Sequence, residues 1–203
     1  MTIWAIIPVK PFRRAKSRLS PVLSPGEREG LNREFLEHTL DVLAQAPHIE
    51  RTLVISRDAG ALSLARERGA HTVTESGAPK LNEALTRATQ TAAALGARAV
   101  LVIPTDLPLL SAADIRRLLA PNDAERLVVI APDRRDEGTN ALFVRPPLLF
   151  GYAFGPGSFR EHCARAMASG ARLHLRRLPG TGLDVDGPDD LQAYRERRIR
   201  SFR

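Results

Sequence analysis

Four aspartates fall within seven residues of the segment LDVDGPDDL, residues 183–191, in a chain that is otherwise basic. If the start of this segment is extended, the side chains of Asp184 and Asp186 point to one face and that of Val185 to the other, because successive residues of an extended backbone alternate. Two carboxylates on one face repel each other unless a cation lies between them. The spacing therefore predicts that Asp184 and Asp186 could hold a metal ion.

The two later aspartates of this segment have a different predicted role. Pro188 suits the first turn of a helix. Acidic residues such as Asp189 and Asp190 are favourable there because they oppose the helix dipole. A loop followed by a well-capped helix would also explain the whole segment, so the metal pair is a hypothesis for its first half only.

A fifth aspartate follows a continuous apolar run. The run is AVLVI, residues 99–103, which is typical of a strand covered on both faces. Asp106 lies three residues beyond it. Mg²⁺ is commonly held by one or two carboxylates together with substrate phosphates. Asp106 could instead cap the turn before Pro108, but its place after a central strand favours metal binding.

The loop after the first predicted strand is strongly basic. Its sequence is PVKPFRRAKSRL, residues 8–19, and its cations are Lys10, Arg13, Arg14, Lys16 and Arg18. Five cations in a short loop can grip a polyphosphate through their side chains, although a solvated basic loop has the same composition. The glycines of a phosphate-binding P-loop are absent, so backbone N–H groups would contribute less.

A third loop offers hydrogen-bond donors to an anion. In DRRDEGTNALF, residues 133–143, Gly138 allows the backbone to approach a ligand closely. The hydroxyl of Thr139 adds a donor. An ordinary turn explains this loop equally well.

A fourth loop, FGPGSFREH at residues 154–162, leads into a predicted helix. Gly155 and Gly157 precede Ser158, which is predicted at the N-cap. The first N–H groups of a helix are unpaired and can bind an anion, while a plain serine cap is the alternative. No role is predicted for His162.

Alternating strand and helix patterns position these loops and predict a single α/β domain over residues 1–203. The predicted strands are 3–9, 52–56, 71–74, 99–103, 127–131, 141–145 and 173–178. The predicted helices are 27–46, 58–68, 81–95, 111–119, 158–169 and 188–198, with caps at Asp58 and Ser111. This order implies a mostly parallel sheet with helices on both faces. Ligands of such sheets bind beyond the carboxyl ends of the strands.

The composition indicates a globular protein. Hydrophobic residues make up 43% of the 203 residues and charged residues 26%. No apolar run reaches the roughly 18 residues of a membrane span, and the amino terminus lacks the features of a signal peptide. The single cysteine, Cys163, excludes an intramolecular disulfide. We therefore expect a cytoplasmic protein with no membrane partner.

The net charge of +7 suggests anionic partners, either nucleic acid or small phosphorylated molecules. A nucleic-acid-binding module is the less favoured of the two. Aromatic residues make up only 5% of the chain, and no basic surface interleaved with aromatic residues is visible. The basic tail RERRIRSFR is better interpreted as the solvated end of a helix, where arginines suit the dipole. We expect no nucleic-acid partner.

Taken together, the motifs resemble a known family. They are IPVKPFRRAKSRLSPVLS, PKLNEAL, PTDLPLL, DEGTNALF, FGPGSFREH and LDVDGPDDL, in this order. The chain resembles, over nearly its full length, the guanylyltransferases of deazaflavin-coenzyme biosynthesis, which activate 2-phospho-L-lactate, phosphoenolpyruvate or 3-phosphoglycerate with GTP. The resemblance implies a Rossmann-like nucleotidyltransferase fold with a mixed, mostly parallel sheet. A first loop with Lys10 in place of glycines is typical of this branch.

The resemblance also implies roles for individual residues. The metal ligands, for Mg²⁺, would be Asp106, Asp184 and Asp186. The contacts to the phosphorylated acid would be Lys10, Thr139, Gly155 and Ser158. The contacts to GTP would be Lys80 and Asn82, with Lys16 and Arg18 expected on the same side. Lys10 and Asp106 would be the catalytic residues.

The implied reaction transfers GMP from GTP to a phosphorylated acid and releases pyrophosphate. Phosphoenolpyruvate is the expected acceptor because the arginine-rich chain is most similar to the bacterial branch of the family. The same reaction with 2-phospho-L-lactate or 3-phosphoglycerate is the alternative. A nucleotidyltransferase acting on a sugar phosphate or another cofactor is a further alternative, because it would use the same kinds of metal and phosphate contacts.

Overall fold

The structure contains the predicted sheet, with helices on both faces. It is a computed structural model that describes residues 2–77, 80–120 and 122–201. Within these residues the strands are β1 (Ile3–Val9), β2 (Arg51–Ser56), β3 (His71–Thr74), β4 (Ala99–Val102), β5 (Leu127–Pro132), β6 (Thr139–Arg145) and β7 (Arg172–Leu175). The helices are α1 (Pro25–Ala44), α2 (Ala59–Glu67), α3 (Leu81–Ala94), α4 (Ala112–Leu118), α5 (Ser158–Ala168) and α6 (Pro188–Ser201). None of the helices described is long and apolar enough to cross a membrane.

The strand order is β3-β2-β1-β4-β6-β5-β7. Neighbouring strands are parallel throughout except around β6, which is antiparallel to both β4 and β5. The carboxyl ends of β1, β4 and β5 therefore share one edge of the sheet with the amino end of β6. This confirms the mixed, mostly parallel sheet.

Two apolar clusters cover the two faces of the sheet. On β1, Ile3, Ala5 and Ile7 pack into one cluster with α1, α2 and α4. Trp4 and Ile6 pack into the other with α3 and α5. This alternation follows from the strand period of two, and it explains why the apolar run of a strand buried on both faces is continuous.

A third, smaller cluster joins distant parts of the chain. Its buried members are Leu19, Leu23, Phe35, Leu183, Val185, Leu191 and Tyr194. It packs the end of the basic loop and α1 against α6 and the segment before α6. Burial of each large aliphatic side chain contributes about 1.5–3 kcal/mol, so this cluster holds the basic loop and the acidic segment together.

Two predicted helix caps are confirmed. Asp58 accepts a hydrogen bond from the Ala61 N–H at the start of α2, and Ser111 forms a capping box with Asp114 at the start of α4. The second carboxylate oxygen of Asp58 also accepts from the Phe12 N–H at 2.9 Å. The cap of α2 therefore anchors the basic loop as well.

The cap predicted for α5 is wrong. Gly157, with φ of 72°, occupies the N-cap, and Ser158 is the first helical residue. A positive φ is readily adopted only by glycine, so the chain turns into α5 at Gly157 and leaves the Ser158 side chain free for other partners.

The last strand is also shorter than predicted. The sequence pattern predicts residues 173–178, whereas β7 ends at Leu175. Its partner β5 sets this limit. Ile130 with Leu175 is the last pair between β5 and β7, and the pairing of β5 with its other neighbour, β6, becomes irregular just beyond, between Ala131 and Pro132. Arg176 donates one further N–H to the Ile130 carbonyl before the chain leaves the sheet.

Candidate active site

The predicted site residues gather at the edge of the sheet where β1 ends and β6 begins. Lys10 directly follows β1 and its side chain is exposed. Asp106 lies in the loop after β4, and Thr139 is the first residue of β6. Because β6 runs against its neighbours, its amino end lies at the same edge as their carboxyl ends. The antiparallel strand thus brings Thr139 to the edge that holds Lys10 and Asp106.

The acidic segment adopts the alternation that its sequence predicts. Leu183 and Val185 are buried in the third cluster, at 1% and 0% exposure, while Asp184 and Asp186 between and after them are only partly buried. The Val185 N–H donates to the Asp106 carbonyl oxygen at 3.0 Å. This bond joins the segment directly to the loop after β4.

The carboxylates of this region influence one another. Burial raises the pKa of Asp184 above its usual range, and the nearby charges of Asp106 and, less strongly, Asp186 raise it further. The Asn140 amide of β6 donates to Asp184 at 3.4 Å and opposes this shift. Negative charge is therefore concentrated here, as expected of a cation site.

A lysine of the basic loop provides positive charge at this position. The Lys16 ammonium donates to the carboxylates of Asp106 at 3.4 Å and Asp186 at 3.3 Å. Its side chain is 7% exposed and lies over the Phe35 ring at 6.0 Å. Arg18 lies 4.0 Å from Asp186. Lys16 and Arg18, two of the three cations expected on the nucleotide side, thus lie against the predicted metal ligands.

The pairing of Lys16 with the carboxylates depends on a backbone feature that the sequence does not indicate. Lys16 has φ of 56° and ψ of 35°, in the left-handed region, which a residue with a Cβ adopts at some cost. That turn leads into the 3-10 turn Ser17–Leu19, and Leu19 is buried in the third cluster. The backbone turn at Lys16 is therefore followed directly by a residue, Leu19, that is packed in the third cluster.

The donor set suits Mg²⁺ only if phosphate oxygens complete it. Among the described residues, no group of three or more His, Cys, Asp and Glu side chains is arranged to hold a metal ion. Carboxylate oxygens are nevertheless the hard ligands that Mg²⁺ prefers, and it commonly uses one or two of them with phosphates. One or two of Asp106, Asp184 and Asp186 fit that pattern better than a cage of all three.

The later aspartates start α6, as predicted. Asp190 accepts hydrogen bonds from the N–H groups of Asp186 at 3.2 Å and Gly187 at 2.8 Å. It also forms an ion pair with Arg134 at 2.6 Å. Asp189 lies in the first turn of the helix. Asp190 therefore fixes the backbone immediately after the predicted metal pair.

Two of the predicted contacts of the phosphorylated acid, Thr139 and Ser158, lie in a buried network, whereas Lys10 is exposed and outside it. The Thr139 N–H donates to the Ser158 hydroxyl at 3.0 Å, and the Thr139 hydroxyl lies 2.9 Å from Nδ1 of His162. Thr139 is 6% exposed, Ser158 2% and His162 0%. Gly155, with φ of 139°, lies in the loop before Ser158. The structure thus brings Thr139 and Ser158 together through contacts that the sequence does not specify.

Sequence reasoning missed His162. Its Nε2 accepts the Ala153 N–H at 3.0 Å, so the ring connects the loop before α5 to the start of β6. Burial lowers the pKa of His162 to about 4, and the Arg165 cation adds to that effect. The signal in the sequence is its spacing: residues four apart on a helix share a face, and His162 lies four residues after Ser158, a predicted contact of the acceptor.

The two predicted nucleotide contacts of α3 have different surroundings. Lys80 is exposed and pairs with Glu83 at 2.7 Å. The Asn82 amide accepts from the Phe154 N–H at 2.8 Å and donates to the Phe154 carbonyl at 3.1 Å. Asn82 therefore holds the loop that contains Gly155, and one of its amide hydrogens is still available to a ligand.

An open cavity of about 870 Å³ lies between the acidic segment and the glycine loop. Its lining includes Asp184 and Asp186 of the acidic segment, Gly155 and Gly157 of the glycine loop, and Arg160 of α5. A volume of this size accommodates a nucleotide or a comparable ligand. Carboxylates and cations around one cavity can bind metal-bound phosphates and neutralise charge during phosphoryl or nucleotidyl transfer.

Comparison with known proteins gives a consistent match. Residues 3–194 match the family described as "Guanylyl transferase CofC like". A phosphoenolpyruvate guanylyltransferase of Rubrobacter xylanophilus is 40% identical, covering 94% of this chain and 92% of that protein. A 2-phospho-L-lactate guanylyltransferase of Methanothermobacter thermautotrophicus is 39% identical, covering 94% of this chain and 83% of that protein.

The fold is shared with a solved structure of another protein. A structure described as a nucleotide-diphospho-sugar transferase of Desulfovibrio desulfuricans superposes with a TM-score of 0.80. The match covers 100% of this chain and 91% of that chain, at 20% sequence identity. This likeness shows that the two proteins have a common architecture.

Proposed function

The chain belongs to the family of CofC-like guanylyl transferases, and from that premise we propose that it transfers GMP from GTP to phosphoenolpyruvate. The products would be enolpyruvoyl-diphospho-guanosine and pyrophosphate, in the biosynthesis of a deazaflavin coenzyme. The observation that carries the proposal is the convergence of Lys16, the three predicted metal ligands and the Thr139–Ser158 pair at one edge of the sheet.

The acceptor has two close alternatives. One relative, at 39% identity, is a 2-phospho-L-lactate guanylyltransferase, and 3-phosphoglycerate carries the same phosphate and carboxylate. All three acceptors present these two anionic groups on a short carbon chain. Phosphoenolpyruvate is favoured because the relative from Rubrobacter xylanophilus, at 40% identity, is a phosphoenolpyruvate guanylyltransferase.

The proposed chemistry is an in-line substitution at the α-phosphorus of GTP. An oxygen of the acceptor phosphate forms the new P–O bond, and the bond between the α-phosphorus and the bridging oxygen breaks. Pyrophosphate leaves with that electron pair. No strong base is needed, since a phosphate monoester has a second pKa of about 6 and is mostly ionised at pH 7. Catalysis would then consist of positioning and charge neutralisation.

The residues of the basic loop would neutralise phosphate charge. Lys10, exposed at the end of β1, is free to reach the acceptor and the nucleotide. Lys16 and Arg18 would shift from carboxylates towards incoming phosphates, because an oxyanion offers an alternative charged partner. Lys80 and Asn82, at the start of α3, would contact the nucleotide.

The acceptor would be held beside the glycine loop. Thr139 and Ser158 would supply hydroxyl donors, and Gly155 would let the backbone approach the small acid closely. Asp106, Asp184 and Asp186 would supply the one or two carboxylates that hold Mg²⁺ jointly with phosphate oxygens. When bound, that ion would supply charge neutralisation for the transferred nucleotidyl group.

The test is a product assay with purified protein, GTP and each of the three acceptors, with the diphosphate-linked product identified by mass. We expect product with phosphoenolpyruvate, and a parallel series with ATP and CTP checks the preference for guanine. Absence of product with all three acceptors would contradict the proposed family activity. If product forms only with 2-phospho-L-lactate or only with 3-phosphoglycerate, that compound replaces phosphoenolpyruvate as the acceptor.

A matched pair of variants tests the acidic site. Asp186→Asn should lower pyrophosphate release by at least about 100-fold, as expected for the loss of a charged group that acts on the transition state. Asp189→Asn removes a carboxylate from the same segment but on the first turn of α6, and its activity should stay close to that of the wild type. If Asp186→Asn releases pyrophosphate at a rate within a few-fold of the wild type, the assignment of Asp186 as a metal ligand is contradicted.

A further inference from the structure

His162 lies on α5 at the position where it can reach both the start of β6 and the loop before the helix. Ser158 and His162 are four residues apart and therefore share one face of α5. Both contact Thr139: the Ser158 hydroxyl accepts from the Thr139 N–H, and the His162 ring contacts the Thr139 hydroxyl. The Phe154 ring packs edge-on against the imidazole, with centroids 4.7 Å apart.

The hydrogen bonds of His162 determine its tautomer. Nε2 faces the Ala153 N–H at 3.0 Å, and a backbone N–H can only donate, so Nε2 carries no hydrogen. A neutral imidazole keeps its one hydrogen on the other nitrogen. Nδ1 is therefore the donor in the 2.9 Å contact with the Thr139 hydroxyl oxygen. The low pKa of His162 agrees with a ring that stays neutral at pH 7.

This arrangement also determines what the two hydroxyl groups can do. The Thr139 oxygen accepts from His162, and the Ser158 oxygen accepts from the Thr139 N–H. Neither hydroxyl uses its own hydrogen in these contacts, so each keeps an O–H to donate elsewhere. A phosphate or carboxylate offers only acceptors, and hydrogen bonds from such donors to a charged oxygen are stronger than neutral ones.

We propose that His162 is a positioning residue that sets the Thr139 hydroxyl as a hydrogen-bond donor to the anionic acceptor of the reaction. The inference rests on the proposed function and deepens it, because it explains how buried hydroxyl groups become an anion-binding pair. His162 itself touches Thr139 and Ala153, and it acts on the acceptor through Thr139.

Three substitutions separate the two contacts of the ring. His162→Phe fills the space and removes both hydrogen bonds. His162→Asn places an amide near the position of Nδ1, where it can still donate to Thr139. His162→Gln places an amide oxygen near the position of Nε2, where it can still accept from Ala153. The expected acceptor KM rises about tenfold or more in His162→Phe and His162→Gln, rises less in His162→Asn, and the KM for GTP changes little.

A double-substitution experiment shows whether the effect passes through the Thr139 hydroxyl. Thr139→Val removes that hydroxyl and should raise the acceptor KM by itself. In the Thr139→Val background, His162→Phe should then add no further increase, because coupled residues are not additive. Independent, additive increases would overturn the proposal, as would an unchanged acceptor KM in folded His162→Phe. The proposal would also be overturned if the acceptor KM of each variant rose only in proportion to the fall in its melting temperature.

A spectroscopic measurement on the unliganded protein tests the tautomer without any reaction. The imidazole ¹⁵N shifts at pH 7, assigned with His162→Asn, should identify a neutral ring with its hydrogen on Nδ1, and a hydrogen on Nε2 would overturn the proposal. This readout also covers the case in which His162→Phe fails to fold. If the wild type turns over none of the three acceptors, the proposed function fails, whereas normal turnover with the wrong tautomer refutes only the role of His162.

Discussion

Removal of the Lys16 charge should destabilise the protein and strengthen its response to Mg²⁺. The ammonium lies 3.4 Å from Asp106 and 3.3 Å from Asp186, with its side chain 7% exposed. Lys16→Met keeps a long apolar stem against Phe35 but deletes the only part that pairs with the carboxylates. The carboxylates of Asp106 and Asp186 would then lose a neutralising partner.

The magnitude follows from these distances. Unit charges about 3.3 Å apart attract by about 5 kcal/mol at an effective dielectric constant of about 20, but desolvation of the buried ammonium offsets much of this. The partner carboxylates are 27% and 48% exposed, so water screens them further. We expect a net loss of about 1–2 kcal/mol, which corresponds to a melting temperature lower by about 3–6 °C for a domain of this size.

The assay is calorimetric unfolding at pH 7 with and without Mg²⁺. Lys10→Met is the matched control, because Lys10 is exposed and has no ion pair within the described part of the chain, and its effect should stay within about 0.5 kcal/mol. Mg²⁺ should raise the melting temperature of Lys16→Met more than that of the wild type, since freed carboxylates bind the cation more tightly. Equal effects of the two lysine substitutions, or equal Mg²⁺ shifts in variant and wild type, would refute the reasoning.

Three further predictions concern the acceptor pocket, the packing of Gly180 against Leu109 and Asp114, and the partly buried carboxylate of Asp184. Ser158→Ala leaves the buried Thr139 N–H without its 3.0 Å partner and should raise the acceptor KM about tenfold with a smaller change for GTP; an unaltered acceptor KM in steady-state kinetics would contradict this. Gly180→Ala would bring a Cβ to 2.6 Å from the Leu109 carbonyl oxygen and even closer to Asp114, so chemical denaturation should show a loss of about 2 kcal/mol or more. Gly30→Ala, in α1 with no atom from outside the local helix backbone within 4 Å of the added Cβ, should instead gain about 0.5–1 kcal/mol. Burial raises the pKa of Asp184 above its ordinary 3.8, so the folded state binds that proton more tightly than the unfolded state and loses stability as pH rises through the raised pKa. Asp184→Asn should therefore be more stable than the wild type at pH 7 without divalent cations, and denaturation at several pH values should show this gain shrinking towards pH 3, whereas a gain that grows in acid would contradict the assignment.

The strands and helices were predictable because their signals are local. Apolar runs such as residues 99–103 and caps such as Asp58 and Ser111 identify elements through properties of neighbouring residues. The N-cap of α5 was predicted at Ser158, one residue after the observed cap, Gly157. Serine is the commoner cap, and the positive φ of Gly157 is visible only in the structure. The end of β7 depended on its partner β5, which a local pattern does not include.

The site was predictable as a set of loops but not as a set of contacts. The acidic segment, the basic loop and the glycine loop each have unusual composition, so their residues stood out individually. The antiparallel direction of β6 could not be inferred from its apolar run, which has the same pattern in both directions. That direction places Thr139 beside the carboxyl ends of the other strands.

By itself, the sequence determined the elements, the family resemblance and the division of LDVDGPDDL into an alternating acidic pair and a helix start, because each depends on residue types at short spacing. The tertiary structure decided which charges meet. Lys16 lies against Asp106 and Asp186 across 90 and 170 residues of sequence, and His162 binds Thr139 across 23. Such pairings depend on how the sheet and the third apolar cluster pack, and burial then sets the pKa values and donor roles that no spacing along the chain specifies.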